Sequence, residues 1–250
     1  MSMSNTDKIR GRTLFHHNIV QGFKVDERRN LFTHECLYSY CRNLDFYRNI
    51  VLGPFGGCGT AATGIIVRDN TFDNRENWAA NIVLNHGAED DKPIGINIRN
   101  NIFCRPPQKG IKYHGAIVDQ KEIPDAIAYG DYNCFFGSGK PFVAYHTVKM
   151  TGKTLRKDDG FGKNDLPVGG KPDEEVDPRL VNPDLKIEVA DQDLLARKIT
   201  VEEVMKPVWD AYGLRPDSPC IDAGAPDDPV PEGGGKRVDI GAVEFVGKNK

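Results

Sequence analysis

Residues 96–103 read INIRNNIF, and four other stretches match them in phase: TLFHHNIV at 13–20, LDFYRNIV at 44–51, IIVRDNTF at 65–72 and AYGDYNCF at 128–135. Each holds an alternating run, an asparagine (Asn18, Asn49, Asn70, Asn101, Asn133), any residue, and then Val or Phe. The intervals between these asparagines are 31, 21, 31 and 32 residues. Self-similarity at such a period marks an array of stacked units. Positions five and three before the asparagine are apolar in the middle copies, as in Leu44 and Phe46, Ile65 and Val67, or Ile96 and Ile98. Two residues after it stand Val20, Val51, Phe72, Phe103 and Phe135. Period-two alternation predicts strands, with one face inward on both sides of the asparagine.

The asparagine has a physical part to play. A chain that bends between two strands without a long loop needs a residue tolerant of left-handed backbone angles, and Asn accepts them better than any residue except Gly. Stacked at one phase, the amides can also hydrogen-bond in a ladder along the stacking axis. The spacing therefore predicts an all-β solenoid of about five coils, each rising ~4.8 Å. A β-sandwich also has short strands and turns, but it does not require Asn at one phase five times over. A further strand in each coil is expected at LFTHECL (31–37), NIVLNHG (81–87) and IKYHGAIVD (111–119); the short coil replaces it with GGCGTAATG.

Composition agrees with many short strands: 26 Gly and 16 Pro punctuate the chain. A net charge of −3, with both signs mixed, points to neither nucleic acid nor an anionic membrane surface. No apolar run is long enough to span a membrane, and the first residues show no secretory signal. Six cysteines (36, 41, 58, 104, 134 and 220) lack metal-site spacing and read as buried thiols, with a local Cys36–Cys41 bridge left open.

After about Tyr145 the pattern stops, which divides the chain into coils (1–146) and a tail (147–250). Thr147 to Asp173 reads as an exposed excursion. Thr200 to Tyr212 is the one expected helix: Thr200 caps it, Glu203 completes a capping box and Gly213 ends it. Trp209, on its apolar stripe, is expected to pack against the end of the solenoid.

VDPRLVNP, LRPDSPCIDAGAP and VDIGAVEF, preceded by DYNCFF, resemble the closing segment of right-handed parallel β-helix proteins with the pectin-lyase-like fold. The resemblance implies a right-handed, single-stranded parallel β-helix with a C-terminal capping tail that covers the open edges of the last coil. Its members include polysaccharide lyases, glycoside hydrolases, epimerases and proteins without known activity, so it implies an acidic polysaccharide as partner only loosely. Because Arg12 to Val20 already reads as a coil, missing N-terminal coils or an oligomeric partner are expected to cover that end. An extracellular or cell-surface place is expected for such a longer parent.

The further strands each carry a histidine: His34, His86 and His114. Lyase chemistry on a uronate needs a carboxylate neutraliser, a base and an acid, and those histidines with Lys112 and Tyr113 can fill these parts. Glu35, Asn85 and Asp119 lie beside them as binding candidates. Three of six histidines falling there by chance is the competing reading, under which the chain is a non-catalytic glycan-binding or structural module. No cofactor is expected. Calcium from loop carboxylates is conceivable, although no loop has its ligand spacing.

Overall fold

A computed structural model describes residues 2–3, 12–21, 37–39, 43–53, 55–58, 64–74, 81–84, 96–106, 117–119, 127–137, 139, 145–147, 162–168, 175–187 and 191–247. In chain order the strands are β1 (Ser2–Met3), β2 (Thr13–His16), β3 (Ile19–Gln21), β4 (Leu37–Ser39), β5 (Leu44–Tyr47), β6 (Ile50–Leu52), β7 (Phe55–Cys58) and β8 (Ile66–Arg68). There follow β9 (Thr71–Asp73), β10 (Ile82–Leu84), β11 (Ile96–Arg99), β12 (Ile102–Cys104), β13 (Ile117–Asp119), β14 (Ile127–Asp131), β15 (Cys134–Phe136) and β16 (Tyr145–Thr147). Two helices close the list, α1 (Asp191–Leu195) and α2 (Val201–Ala211).

Every strand pairs in parallel with the strand three elements away, which is the connectivity of a solenoid-like repeat. A leading sheet runs β2-β5-β8-β11-β14, a trailing sheet β3-β6-β9-β12-β15, and a third sheet β1-β4-β7-β10-β13-β16. The registers repeat the sequence phase. Phe15, Phe46, Val67 and Ile98 align across the leading sheet, and Val20, Val51, Phe72, Phe103 and Phe135 across the trailing one. These residues form the inner core, in which Phe72, Phe103 and Phe135 stack with centroids 5.2 and 5.3 Å apart. Offset stacks of this spacing add to the burial of large aromatic surfaces.

The asparagines form the expected ladder, but not by taking the left-handed turn themselves. Positive φ falls one residue earlier, at His17, Arg48, Asp69, Asn100 and Tyr132, with values of 52–58°. The bend is thus made by the preceding residue, which leaves each Asn side chain free to turn along the stack. The Oδ1 of Asn101 accepts from the backbone and the Nδ2 of Asn70, both at 3.0 Å, while its own Nδ2 reaches Val67 O and Asn133 Oδ1. Asn49, Asn70, Asn101 and Asn133 are fully buried, and such an amide keeps its place only with all its partners supplied. A sixth rung, which the Asn pattern did not reveal, is the carboxylate of Asp165; it accepts from Asn133 N at 2.7 Å and Nδ2 at 3.2 Å.

The tail lies along the side of the repeat as well as at its end. At the end, Leu166 N bonds Asn133 O, and Val176 N bonds Phe135 O, which occupies part of the last trailing edge. Along the side, Ile50, Leu52, Ile102, Cys104 and Cys134 point outward from the trailing sheet into a second core with Leu180, Val208, Tyr212, Leu214, Cys220 and Ile240. A strap over this face includes Gly241 at φ 116°, where an added Cβ would come within 2.6 Å of Ile102 Cδ1, so no larger residue fits.

Helix α2 has the expected capping box, Glu203 N to Thr200 Oγ1 at 3.1 Å and Thr200 N to Glu203 Oε2 at 2.7 Å. Where one helix was expected there are two: Asp191–Leu195 forms a single extra turn that its polar sequence did not announce. Cys104, Cys134 and Cys220 are buried free thiols, as read; Cys36 and Cys41 lie outside the described residues.

Candidate functional site

His34, Glu35, Asn85, His86, Lys112, Tyr113 and His114 all lie outside the described residues. Asp119 is described in its backbone, aligned with Leu84 and Thr147. The strands beside these residues share the third sheet, with Leu37, Phe55, Ile82 and Ile117 at one level. In sequence count His34 and His114 stand three residues ahead of that level, and His86 four residues beyond it. Among the described residues no group of three or more His, Cys, Asp or Glu is gathered to hold a metal ion.

The described functional groups concentrate on the outer face of the leading sheet. Alternation sends every second side chain outward, and register brings His16, Tyr47, Arg68, Arg99 and Asp131 into one row. Neighbours in such a row sit one strand spacing apart, close enough for flat groups to stack. The His16 ring lies 4.7 Å from the Tyr47 ring at 21°, and the Arg68 guanidinium caps its other side at 4.4 Å. A guanidinium over a phenol ring gains cation–π attraction and holds the ring in place.

Beside this row runs the row of left-handed corner residues. His17 turns its Nδ1 to within 2.8 Å of His16 Nδ1, so the two rings share one proton between them. The tail borders the corner row: Trp209 of α2 lies 6.2 Å from His17, and Glu244 Oε2 is 3.9 Å from Arg48. Further along, Asp228 receives Arg99 at 2.7 and 2.8 Å and Asn100 at 2.7 Å, which closes that part of the row. Among the described residues nothing closes the row at His16 and His17, both exposed, with Tyr47 half-buried behind them.

Burial, then Arg48 and His16, lower the His17 pKa from its ordinary value and favour the neutral ring. Burial raises the Asp69 carboxyl despite the Arg68 guanidinium paired with it. Burial and Asp239 raise the Glu244 carboxyl to about 7.

A cleft of about 310 Å³ lies at the tail seam between Arg105, Arg179, Arg215, Asp177 and Asp184. Arg105 and Arg179 are committed to holding the seam. Arg105 reaches the buried Asp73 through Nε at 2.7 Å, and Asp184 through Nη1 at 2.7 Å; Tyr212 also donates its hydroxyl to Asp73. Arg179 is paired with Asp217.

Sequence reading missed the leading-sheet row. Its signal was present: two residues before each asparagine stand His, Tyr, Arg, Arg and Asp, at an outward phase. A solenoid-like parallel β-structure with an aromatic and cationic row on one outer face is the class that fold and site define. Comparison with family models, with curated proteins and with solved structures finds no match for this chain.

Proposed function

We propose that this chain is a right-handed parallel β-helix of about five coils, of the pectin-lyase-like kind, that binds an acidic polysaccharide along its outer faces. The observation that carries the reading is the stacked His16–Tyr47–Arg68 row, open at its His16 end among the described residues. Repeating units of a linear polymer match a surface that repeats along its own axis. Aromatic rings suit the apolar faces of sugar rings, and guanidinium groups suit uronate carboxylates. The third-sheet segments remain part of the proposal: His34, His86 and His114, with Lys112 and Tyr113, are the candidates for lyase-type chemistry, and Glu35, Asn85 and Asp119 for contact with the polymer.

Titration with alginate, pectate and glycosaminoglycans, against a neutral glucan, tests it. At least one acidic polymer should bind, more weakly as salt rises, because screening shortens the reach of exposed charges to about 8 Å at physiological ionic strength. Arg68→Ala should weaken that binding by roughly tenfold, because it removes the guanidinium that holds the Tyr47 ring in the row as well as a positive charge. Equal binding of neutral and acidic polymers, or none of either, would sink the proposal.

A further inference from the structure

We infer that His16 and His17 form a two-histidine site for a divalent transition-metal ion that favours right-angle coordination, Cu(II) or Ni(II) rather than Zn(II). The inference goes beyond the polysaccharide reading and does not depend on it.

The backbone builds the pair. Along a strand successive side chains leave on opposite faces, so neighbouring histidines do not ordinarily meet. At His17 the chain takes φ 54°, the left-handed corner of the coil, and the turn brings its ring back beside that of His16. The ring centroids stand 5.0 Å apart at 87°, and the two Nδ1 atoms converge to 2.8 Å. Tyr47 stacks on His16 at 4.7 Å and meets His17 edge-on at 6.1 Å, while Trp209 of α2 lies 6.2 Å from His17. Aromatic rings from two further elements thus hold both imidazoles, and both histidines stay exposed to an arriving ion.

The separation of the two nitrogens selects the metal. Imidazole nitrogens bind first-row divalent ions at about 2.0–2.1 Å, so two of them stand about 2.8–3.0 Å apart at a right angle and about 3.3–3.4 Å apart at the tetrahedral angle. The observed 2.8 Å is the right-angle bite, which suits tetragonal Cu(II) and Ni(II) and is too narrow for tetrahedral Zn(II). In the metal-free pair one Nδ1–H lies between the two nitrogens. The ion takes its place, and that proton passes through solvent to Nε2 of the same ring, so both rings ligate as neutral imidazoles. Arg48 is the cation that bears on His17, and Glu244 offsets it from 3.9 Å; Arg68 is paired with Asp69. A pair falls short of the closed ligand set of a structural metal site, so water fills the remaining positions and the ion exchanges.

The test titrates the intact chain with Cu(II), Ni(II) and Zn(II) by calorimetry, and takes the electron paramagnetic resonance spectrum of the Cu(II) form. Wild type should take up Cu(II) with a tetragonal spectrum that shows two coupled imidazole nitrogens, and Zn(II) should bind more weakly than either Cu(II) or Ni(II). Because Trp209 lies beside His17, Cu(II) should also quench its fluorescence, and Trp209→Phe should remove that quenching while the metal still binds. Two variants keep the fold readable: His16→Phe retains a ring to stack on Tyr47, and His17→Asn retains a side chain that tolerates φ 54°. Each should weaken Cu(II) binding by about tenfold or more at an unchanged thermal midpoint. A wild-type spectrum without two coupled nitrogens overturns the inference whatever the variants do. So does Cu(II) binding that is undiminished in both variants, which would place the ion on other histidines, and so does Zn(II) bound as tightly as Cu(II), which would contradict the right-angle bite.

Discussion

The side chain of Glu244 is 10% exposed, its Oε1 accepts no hydrogen bond from the described residues, and Asp239 and Asp69 add negative potential around it. Arg48, 3.9 Å away, offsets only part of this, so the carboxyl stands at about 7 against an ordinary 4.5. Between those values the folded protein holds a proton that the unfolded chain has released. The contribution to stability is complete below pH 4.5 and is lost as pH rises through 7. Asp69 and Asp239, raised chiefly by burial, act in the same direction. Melting temperatures of wild type and Glu244→Gln should agree near pH 4 and separate by pH 8, with the glutamine variant the more stable. Parallel profiles would mean that the carboxyl is not held in the folded state as described.

Strands of two to five residues have little stability alone, so each unit of this repeat depends on its neighbours. Phe103 is fully buried on β12, between Phe72 and Phe135. Phe103→Ala should cost about 3–5 kcal/mol by opening a cavity that the flanking rings cannot fill. Urea unfolding would read this as a lower midpoint, and an unchanged midpoint would remove Phe103 from the core. The position was legible in the sequence because a half-buried strand writes its inward face in every second letter. The bend was less legible: Asn suits a left-handed angle better than Arg48 or Tyr132 does, yet the backbone takes it one residue earlier, at His17, Arg48, Asp69, Asn100 and Tyr132. The row on the leading sheet was hidden for a different reason. Alternation says that His16, Tyr47 and Arg68 point outward, but their stacking depends on register across units that are 31 and 21 residues apart. The extra turn at 191–195 is too short to show an apolar stripe that would announce it.

On the scale of the molecule, the trailing sheet would expose Ile50, Leu52, Ile102, Cys104 and Cys134 on its outer face without the tail, and an apolar face of that size drives aggregation. Cys104 and Cys134 on the sheet and Cys220 on the tail are buried in this one seam. Burial raises the Cys104 thiol, and the Cys220 thiol together with burial raises that of Cys134, so neither reacts while the seam is closed. Site-resolved alkylation across a denaturant series should therefore label Cys134 and Cys220 in a single step, coincident with loss of the β signal. Labelling of Cys220 well before Cys134 would show that the tail opens separately from the repeat.

The asparagine ladder also has a direction. Every amide hands one hydrogen toward the next higher asparagine, from Asn18 to Asn133, and the last recipient is the carboxylate of Asp165. A row of aligned dipoles is thus terminated at its positive pole by an anion, much as an acidic residue terminates a helix at its amino end. A carboxylate has no hydrogen to hand on, so it acts as a full stop in this grammar. At the opposite pole, the Oδ1 of Asn18 receives no hydrogen from the described residues, and another amide could be written in front of it. Among the described residues the array is closed by an oxygen at Asp165 and left open at Asn18, so a single substitution of oxygen for nitrogen sets the sense in which it runs.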